Sequence, residues 1–364
     1  MSDVALVYGF WGQNIGNAFF NVGGHQLLEE TLGAGARIHR IQDQPGYRTF
    51  HRQARGNPPR DFGLLNRIRP DAVVLQGPML TETFRALWEP AFEVYAREGI
   101  KVVLLGAALF KFTPAEIEAA SAFLRQYPPA VFVSRDHDSY EVVAGLGLPT
   151  LCYDGIDSAF FAPRAVETVP LADEPFVTFT FDRYPEPTID VRPAGAATPA
   201  EAAAEFTYDD HVVTLTQPAL QRKVSGLGKW QAYFGHVADR RTLPTDFLGR
   251  TVVRPEHRHS PHMTHKIYQH ANACVSDEPY TYLTLYRHTD LTLSDRVHAC
   301  VATLAYGKPA MLFTPSPRSR LFDRLDLAAI RERPVSLPAE ALAREQEGEM
   351  AFLRDAFVEI GLAA

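Results

Sequence analysis

An arginine and a histidine stand two apart in LTLSDRVHACVATLAYGKPAMLF, residues 291–313, and Arg296 and His298 fall where the short apolar run DLTLS gives way to a helical pattern. The first backbone N–H groups of a helix point outward and carry partial positive charge, so a guanidinium beside them makes a place for a carboxylate or phosphate. Gly307 ends the helix and Pro309 precedes the next strand. Two readings stay open on these residues alone. Either Ser294, Arg296 and His298 form an anion site, or Arg296 pairs with Asp295 or another neighbouring carboxylate and His298 is a satisfied core histidine. Ser294 precedes His298 by four residues but lies in no G-x-S-x-G turn, so serine catalysis is not supported.

A second group is the glycine- and asparagine-rich stretch GFWGQNIGNAFFNVGGHQLL, residues 9–28, with Asn14 and Asn17. Such a loop lets backbone approach a ligand, and it serves equally as a tight turn packed on the other half of the chain. It holds neither G-x-G-x-x-G nor G-x-x-x-x-G-K-[ST], which removes the usual dinucleotide and P-loop fingerprints. A third group is RPEHRHSPHMTH, residues 254–265. Its histidine spacings are loose, no H-E-x-x-H is present, and Pro255 and Pro261 imply a loop, so the expectation is no metal. Arg254, His257 and Arg258 are instead expected to face a cleft. Asp209 and Asp210 sit among turn residues and read as a solvated loop.

These groups need a scaffold. The chain has 364 residues, 46% hydrophobic and 22% charged, which is the composition of a folded protein long enough for two domains. Its formal net charge of −7 argues against a nucleic-acid surface spread over the molecule. Cys152, Cys274 and Cys300 have no paired spacing and read as thiols of a reducing compartment. No apolar run reaches the ~20 residues of a membrane span. With no leader pattern at the start, a cytoplasmic location is expected.

Apolar runs at 4–10, 72–77, 101–109 and 130–135 alternate with helical patterns at 23–33, 81–99, 113–127 and 138–147, the third opened by Thr113, Pro114 and Glu116. Continuous apolar strands between helices predict parallel sheets covered on both faces. Proline and small residues over 160–175 mark a boundary. The expected organisation is a Rossmann-like domain over 1–165 on the acceptor side and a second over 166–337 on the donor side. A C-terminal helix over 338–364 would pack back across the junction. Strands are expected at 176–182, 211–216, 250–255, 273–277, 290–294 and 310–313, with 183–206 as part loop and part helix. Segment 221–241, containing Lys229, is expected as a substrate-facing loop. The fold class is therefore α/β, two Rossmann-like domains facing a cleft, with ligands at the carboxyl ends of the strands.

The segment LSDRVHACVATLAYGKPAMLF resembles the strand, Arg-Leu-His, helix, Gly-x-Pro, strand signature of the polysaccharide pyruvyl transferases, with Val297 for leucine. VFVSRDHDSYEVVAGLGLPT (131–150), DSAFF (157–161) and GFWGQNIGNAFF (9–20) resemble further segments of that family in order. The resemblance implies a GT-B-like fold and transfer of a pyruvyl group from phosphoenolpyruvate, a co-substrate and not a bound cofactor, to hydroxyls of a carbohydrate, with loss of phosphate. It implies Arg296 and His298 as catalytic and donor-binding residues. Ser294, Arg254, His257 and Arg318 or Arg320 would complete the donor side, and Asn14, Asn17, Arg135 and Lys229 the acceptor side. The family's loop aspartate is Asn17 here, and its Tyr-Asp-Pro-Lys pattern is replaced by FTPSPRSRLFDRL (313–325). The cleft and anion site would equally serve a glycosyltransferase with a nucleotide-sugar donor, or a non-catalytic protein that binds an anionic metabolite.

Overall fold

The computed structural model describes residues 2–9, 14–42, 63–172, 174–182, 184–193, 195, 202–218, 231–257, 270–313 and 316–363. Lys229 and Arg258, with His259, His262 and His265, lie outside them.

The first sheet holds β1 (Ser2–Val7), β2 (Ala36–Ile41), β3 (Ala72–Gln76), β4 (Lys101–Ala107), β5 (Val131–Ser134) and β6 (Leu151–Asp154). The spatial order is β2-β1-β3-β4-β5-β6 and every pairing is parallel. Four of these strands appear in the sequence as apolar runs because both faces are covered. The edge strand β2, ARIHRI, has no such run, since its residues are half-buried or exposed. Helices α1 (Gly16–Leu32), α2 (Phe84–Glu98), α3 (Pro114–Gln126) and α4 (His137–Ala144) cover the sheet. Helix α3 starts as expected, the Thr113 hydroxyl accepting from the Glu116 N–H at 3.2 Å. The Glu116 carboxylate turns instead to the preceding loop and accepts from the N–H groups of Phe110, Lys111 and Phe112.

A short helix, α5 (Ala162–Ala165), leads to the second half. Its sheet contains β7 (Phe176–Thr180), β11 (Asp246–Phe247), β12 (Arg250–Pro255), β13 (Ala273–Cys274), β14 (Thr292–Ser294) and β15 (Ala310–Leu312). The order is β11-β12-β7-β14-β15, parallel except for β11, with β13 also pairing β12. Segment 183–206, expected as loop and helix, contributes strands instead. β8 (Thr188–Pro193) and β9 (Ala204–Tyr208) flank β10 (His211–Thr216) in a separate antiparallel sheet. Half-exposed strands set among proline and alanine carry no apolar run to announce them. Helices α6 (Gln231–Ala238), α7 (Pro279–His288), α8 (Val297–Ala305) and α9 (Arg320–Asp323) follow in order. The two Rossmann-like sheets form the GT-B-like α/β arrangement.

The last helix, α10 (Ala339–Glu359), lies on the first half. Gln346 donates to the Phe160 carbonyl at 2.9 Å, the Ile156 N–H donates to Glu349 at 2.9 Å, and Phe352 stacks on Tyr153. Helix α1 is buried on nearly all sides. One continuous core runs from the first sheet through Phe19 and Phe20 of α1 to Tyr282 and Tyr286 of α7 and Val301 of α8. Gly23 permits close backbone packing, because a Cβ there would come within 1.9 Å of the Ser158 carbonyl oxygen.

Candidate functional site

In each sheet the strand order reverses beside the first strand, between β1 and β3 and between β7 and β14. Loops leaving such points diverge and open a crevice at the carboxyl ends of the strands, where α/β sheets bind ligands. Leu293 pairs with Phe179 and Ser294 with Thr180, so the residues just beyond those ends, Asp182 and Arg296, emerge side by side. Likewise Ser134 pairs with Asp154, which brings Arg135 beside the turn carrying Asp157.

Arg296 and His298, 8% and 7% exposed, do meet at the entry to α8. Ser294 shapes that entry, its hydroxyl accepting from the Arg296 N–H at 2.8 Å and donating to the Thr180 carbonyl at 3.0 Å. Arg296 and His298 each already have a carboxylate beside them. The Arg296 guanidinium lies 3.3 Å from the Asp182 carboxylate and donates to the Asn14 amide oxygen at 2.7 Å, and Asn14 donates to Asn17 at 3.0 Å. Asp182 also accepts from the His257 N–H at 2.7 Å, while the Ile15 N–H donates to the His257 carbonyl at 2.8 Å. Arg296 thus closes a ring of polar contacts across both halves. Its partner is Asp182 and not Asp295, which accepts from the Tyr184 N–H at 2.7 Å.

His298 belongs to a second cluster. Its Nε2 is 3.3 Å from Asp157, whose same oxygen accepts from Arg135 at 2.8 Å, while the other accepts from the Ala159 N–H at 2.9 Å. Burial alone would raise the Asp157 carboxyl, but His298 and Arg135 beside it hold it well below the usual carboxylate range. Burial lowers the His298 imidazole against the pull of Asp157. Asp157 is therefore ionised and His298 neutral at pH 7. An ionised carboxylate facing Nε2 calls for a proton there, which leaves Nδ1 as the acceptor. Gly16 allows this packing, since a Cβ on it would lie 3.2 Å from Nδ1 and 3.1 Å from the His298 Cβ.

The remaining predicted residues have other surroundings. Arg254, 1% exposed, makes two hydrogen bonds to Glu186 at 2.8 and 2.9 Å and donates to the Ala271 and Pro244 carbonyls. His257 is fully buried, bonded to Tyr286 and edge-on to Phe19. Arg320 pairs with Asp138 and lies over the Phe112 ring, 4.2 Å from its centre. Arg318 lies over Phe110, 5.5 Å from the ring centre, and faces the cleft.

Several groups escaped the sequence reading. Asp182 and Asp157 become visible as partners only once strands far apart in the chain align. Glu256, next to the predicted His257, is 2% exposed; burial, with Asp182 and Glu186 nearby, raises its carboxyl well above the ordinary range. His270 lies 3.1 Å from its Oε1. Gln76 ends β3 at 2% exposure. A glutamine closing the otherwise apolar AVVLQ was the signal for it. Gln76 lines a cavity of about 310 Å3 that also touches Asn14, Phe20, Trp88, Phe110 and Arg318. The cavity adjoins both polar clusters, since Asn14 holds Arg296 and the Phe20 ring lies 5.4 Å from that of His298.

No family model matches the chain, and no curated protein matches it. Among solved structures it is similar to the Staphylococcus aureus MnaA–UDP co-structure at 10% identity, over 98% of this chain and 91% of that one, with a TM-score of 0.48. For UDP-N-acetylglucosamine 2-epimerase from Rickettsia bellii the identity is 11%, the coverage 100% and 96%, and the TM-score 0.48. For UDP-GlcNAc 2-epimerase from Neisseria meningitidis bound to UDP-GlcNAc the values are 12%, 97% and 94%, and 0.46. These are not pyruvyl transferases, and the assignment to that family with phosphoenolpyruvate as donor is overturned. The site agrees with the correction on physical grounds. The arginine expected to clamp the donor is already neutralised by Asp182, and the histidine expected to deliver a proton is neutral. Among the described residues no helix is long and apolar enough to cross a membrane.

Proposed function

We propose that the chain is an enzyme acting on a nucleotide sugar held in the cleft between its two sheets. The observation that carries this reading is the cavity of about 310 Å3 beside the β1/β3 switch point, bordered by groups from α1 and from the second half. A nucleotide sugar presents a diphosphate between two neutral bulky groups. Arg318 at the cavity wall supplies a cation for the diphosphate, and the neutral groups suit the amide- and aromatic-lined remainder.

Within this reading His298 is the proton acceptor. Asp157 fixes its tautomer and stabilises the imidazolium once Nδ1 takes a proton from a substrate hydroxyl or carbon. Arg296 is a positioning residue that ties Asp182 to Asn14 and so fixes the mouth of the cavity. The proton taken by His298 returns to product or solvent.

The reading is tested by incubating the protein with a panel of UDP-, GDP- and dTDP-sugars and following each by phosphorus and proton NMR. At least one is expected to release nucleotide or change its sugar resonances. His298→Gln should lower kcat roughly 10²-fold or more, with KM nearly unchanged. Failure of every nucleotide sugar to bind or react would overturn the reading.

A further inference from the structure

Gln76 lines the cavity and its carboxamide is buried, yet among the described residues neither its Oε1 nor its Nε2 has a hydrogen-bond partner. Buried amides are almost always paired, and one left open carries the full cost of its lost hydration. Its surroundings hold it there: a Cβ on Gly24 of α1 would come within 1.9 Å of its oxygen, so the helix closes over one side of the amide. Around the cavity are Trp88, Phe110 and Phe20, flat apolar surfaces, and the hydroxyl-bearing Thr81 and Thr83. Among the described residues no carboxylate lines it.

We propose that this cavity receives an uncharged group with one apolar face and an adjacent donor and acceptor, which pair with the Gln76 carboxamide. A carboxamide offers a donor and an acceptor side by side and so pairs with an edge offering the same two in reverse. The neutral amide and the aromatic rings favour a neutral ligand that is flat or one-faced. Two moieties share that chemistry, the acetamido group of an amino sugar and the imide edge of a pyrimidine base. Both occur in nucleotide sugars, so the inference rests on the function proposed above and assigns one neutral part of the substrate to this pocket.

Calorimetric titration with N-acetylglucosamine, with uridine and with UDP-N-acetylglucosamine separates the cases. One of the two neutral probes is expected to bind the wild-type protein, which identifies the moiety. Gln76→Met, which keeps length and removes both polar atoms, should weaken that probe at least tenfold and UDP-N-acetylglucosamine with it. Its melting temperature should match or exceed the wild type, since an unpaired buried amide has been removed. Leu87→Trp, which fills the cavity from a half-buried position on α2, should give the same loss independently. Binding of UDP-N-acetylglucosamine that neither variant alters would overturn this inference and leave the proposed function standing. Binding of N-acetylglucosamine through Gln76 in a protein that takes no nucleotide sugar would do the reverse. No binding of either neutral probe would overturn the pocket assignment.

Discussion

Replacing Glu349 by glutamine should make the protein more stable, and increasingly so as pH rises. Glu349 is fully buried in α10; its Oε2 accepts from the Ile156 N–H at 2.9 Å, and its Oε1 has no hydrogen-bond partner among the described residues. Burial, helped by Asp157 nearby and opposed by the Ile156 N–H and Arg324, raises its carboxyl from 4.5 to about 8. The folded protein therefore keeps this proton while the unfolded chain loses it near its ordinary value. Between pH 4.5 and 8 the native state binds one more proton than the unfolded state, so stability falls with rising pH across that window. At ~1.4 kcal/mol per pH unit the full fall from this group has a ceiling of about 5 kcal/mol. Water entry and local relaxation bring the expected difference to ~2–4 kcal/mol. The glutamine variant keeps the acceptor for Ile156 and cannot ionise. Urea unfolding of both proteins at pH 5, 7 and 9 measures the effect. The two curves should nearly coincide at pH 5 and separate by ~2–4 kcal/mol at pH 9, with the variant the more stable. Parallel pH dependences, or a variant less stable at pH 9, would refute the argument that Glu349 is held neutral.

Two further outcomes follow from the packing around the site. Asp157→Asn leaves the buried Arg135 guanidinium without its carboxylate and should destabilise the protein by ~3–5 kcal/mol in urea unfolding, whereas adding Arg135→Met should recover much of the loss. Gly23→Ala drives a methyl group to within 1.9 Å of the Ser158 carbonyl oxygen, so α1 must shift. A loss of ~1–3 kcal/mol or more is expected, visible as a lower denaturation midpoint.

The sequence revealed elements whose burial is two-sided and concealed those whose burial is one-sided or tertiary. β3 and β4 are apolar but for one terminal residue each and were legible; β2, β8 and β9 are half-exposed and were not. Helix α1 begins at Gly16, seven residues before the expected start, because its glycines face close neighbours that no local pattern reveals. In the site, the Arg296 and His298 spacing correctly marked a strand-to-helix junction. The carboxylates beside them were not legible, because they come from elsewhere, Asp182 from the end of β7 and Asp157 from the turn after β6. Of the two readings left open at that junction, the arginine paired with a neighbouring carboxylate is found, with Asp182 as the carboxylate. Arg254 was misjudged similarly, its guanidinium being saturated by Glu186 and two carbonyls.

The central claim is that the cleft joining the two sheets holds a nucleotide sugar, and its most direct test is calorimetric titration of the wild-type protein with UDP-N-acetylglucosamine, alongside Arg318→Ala. Saturable binding by the wild type, at least tenfold weaker in the variant, is the expected result. No heat from the wild type with this or any other nucleotide sugar, or equal affinity in the Arg318 variant, would contradict the placement of the ligand in this cleft.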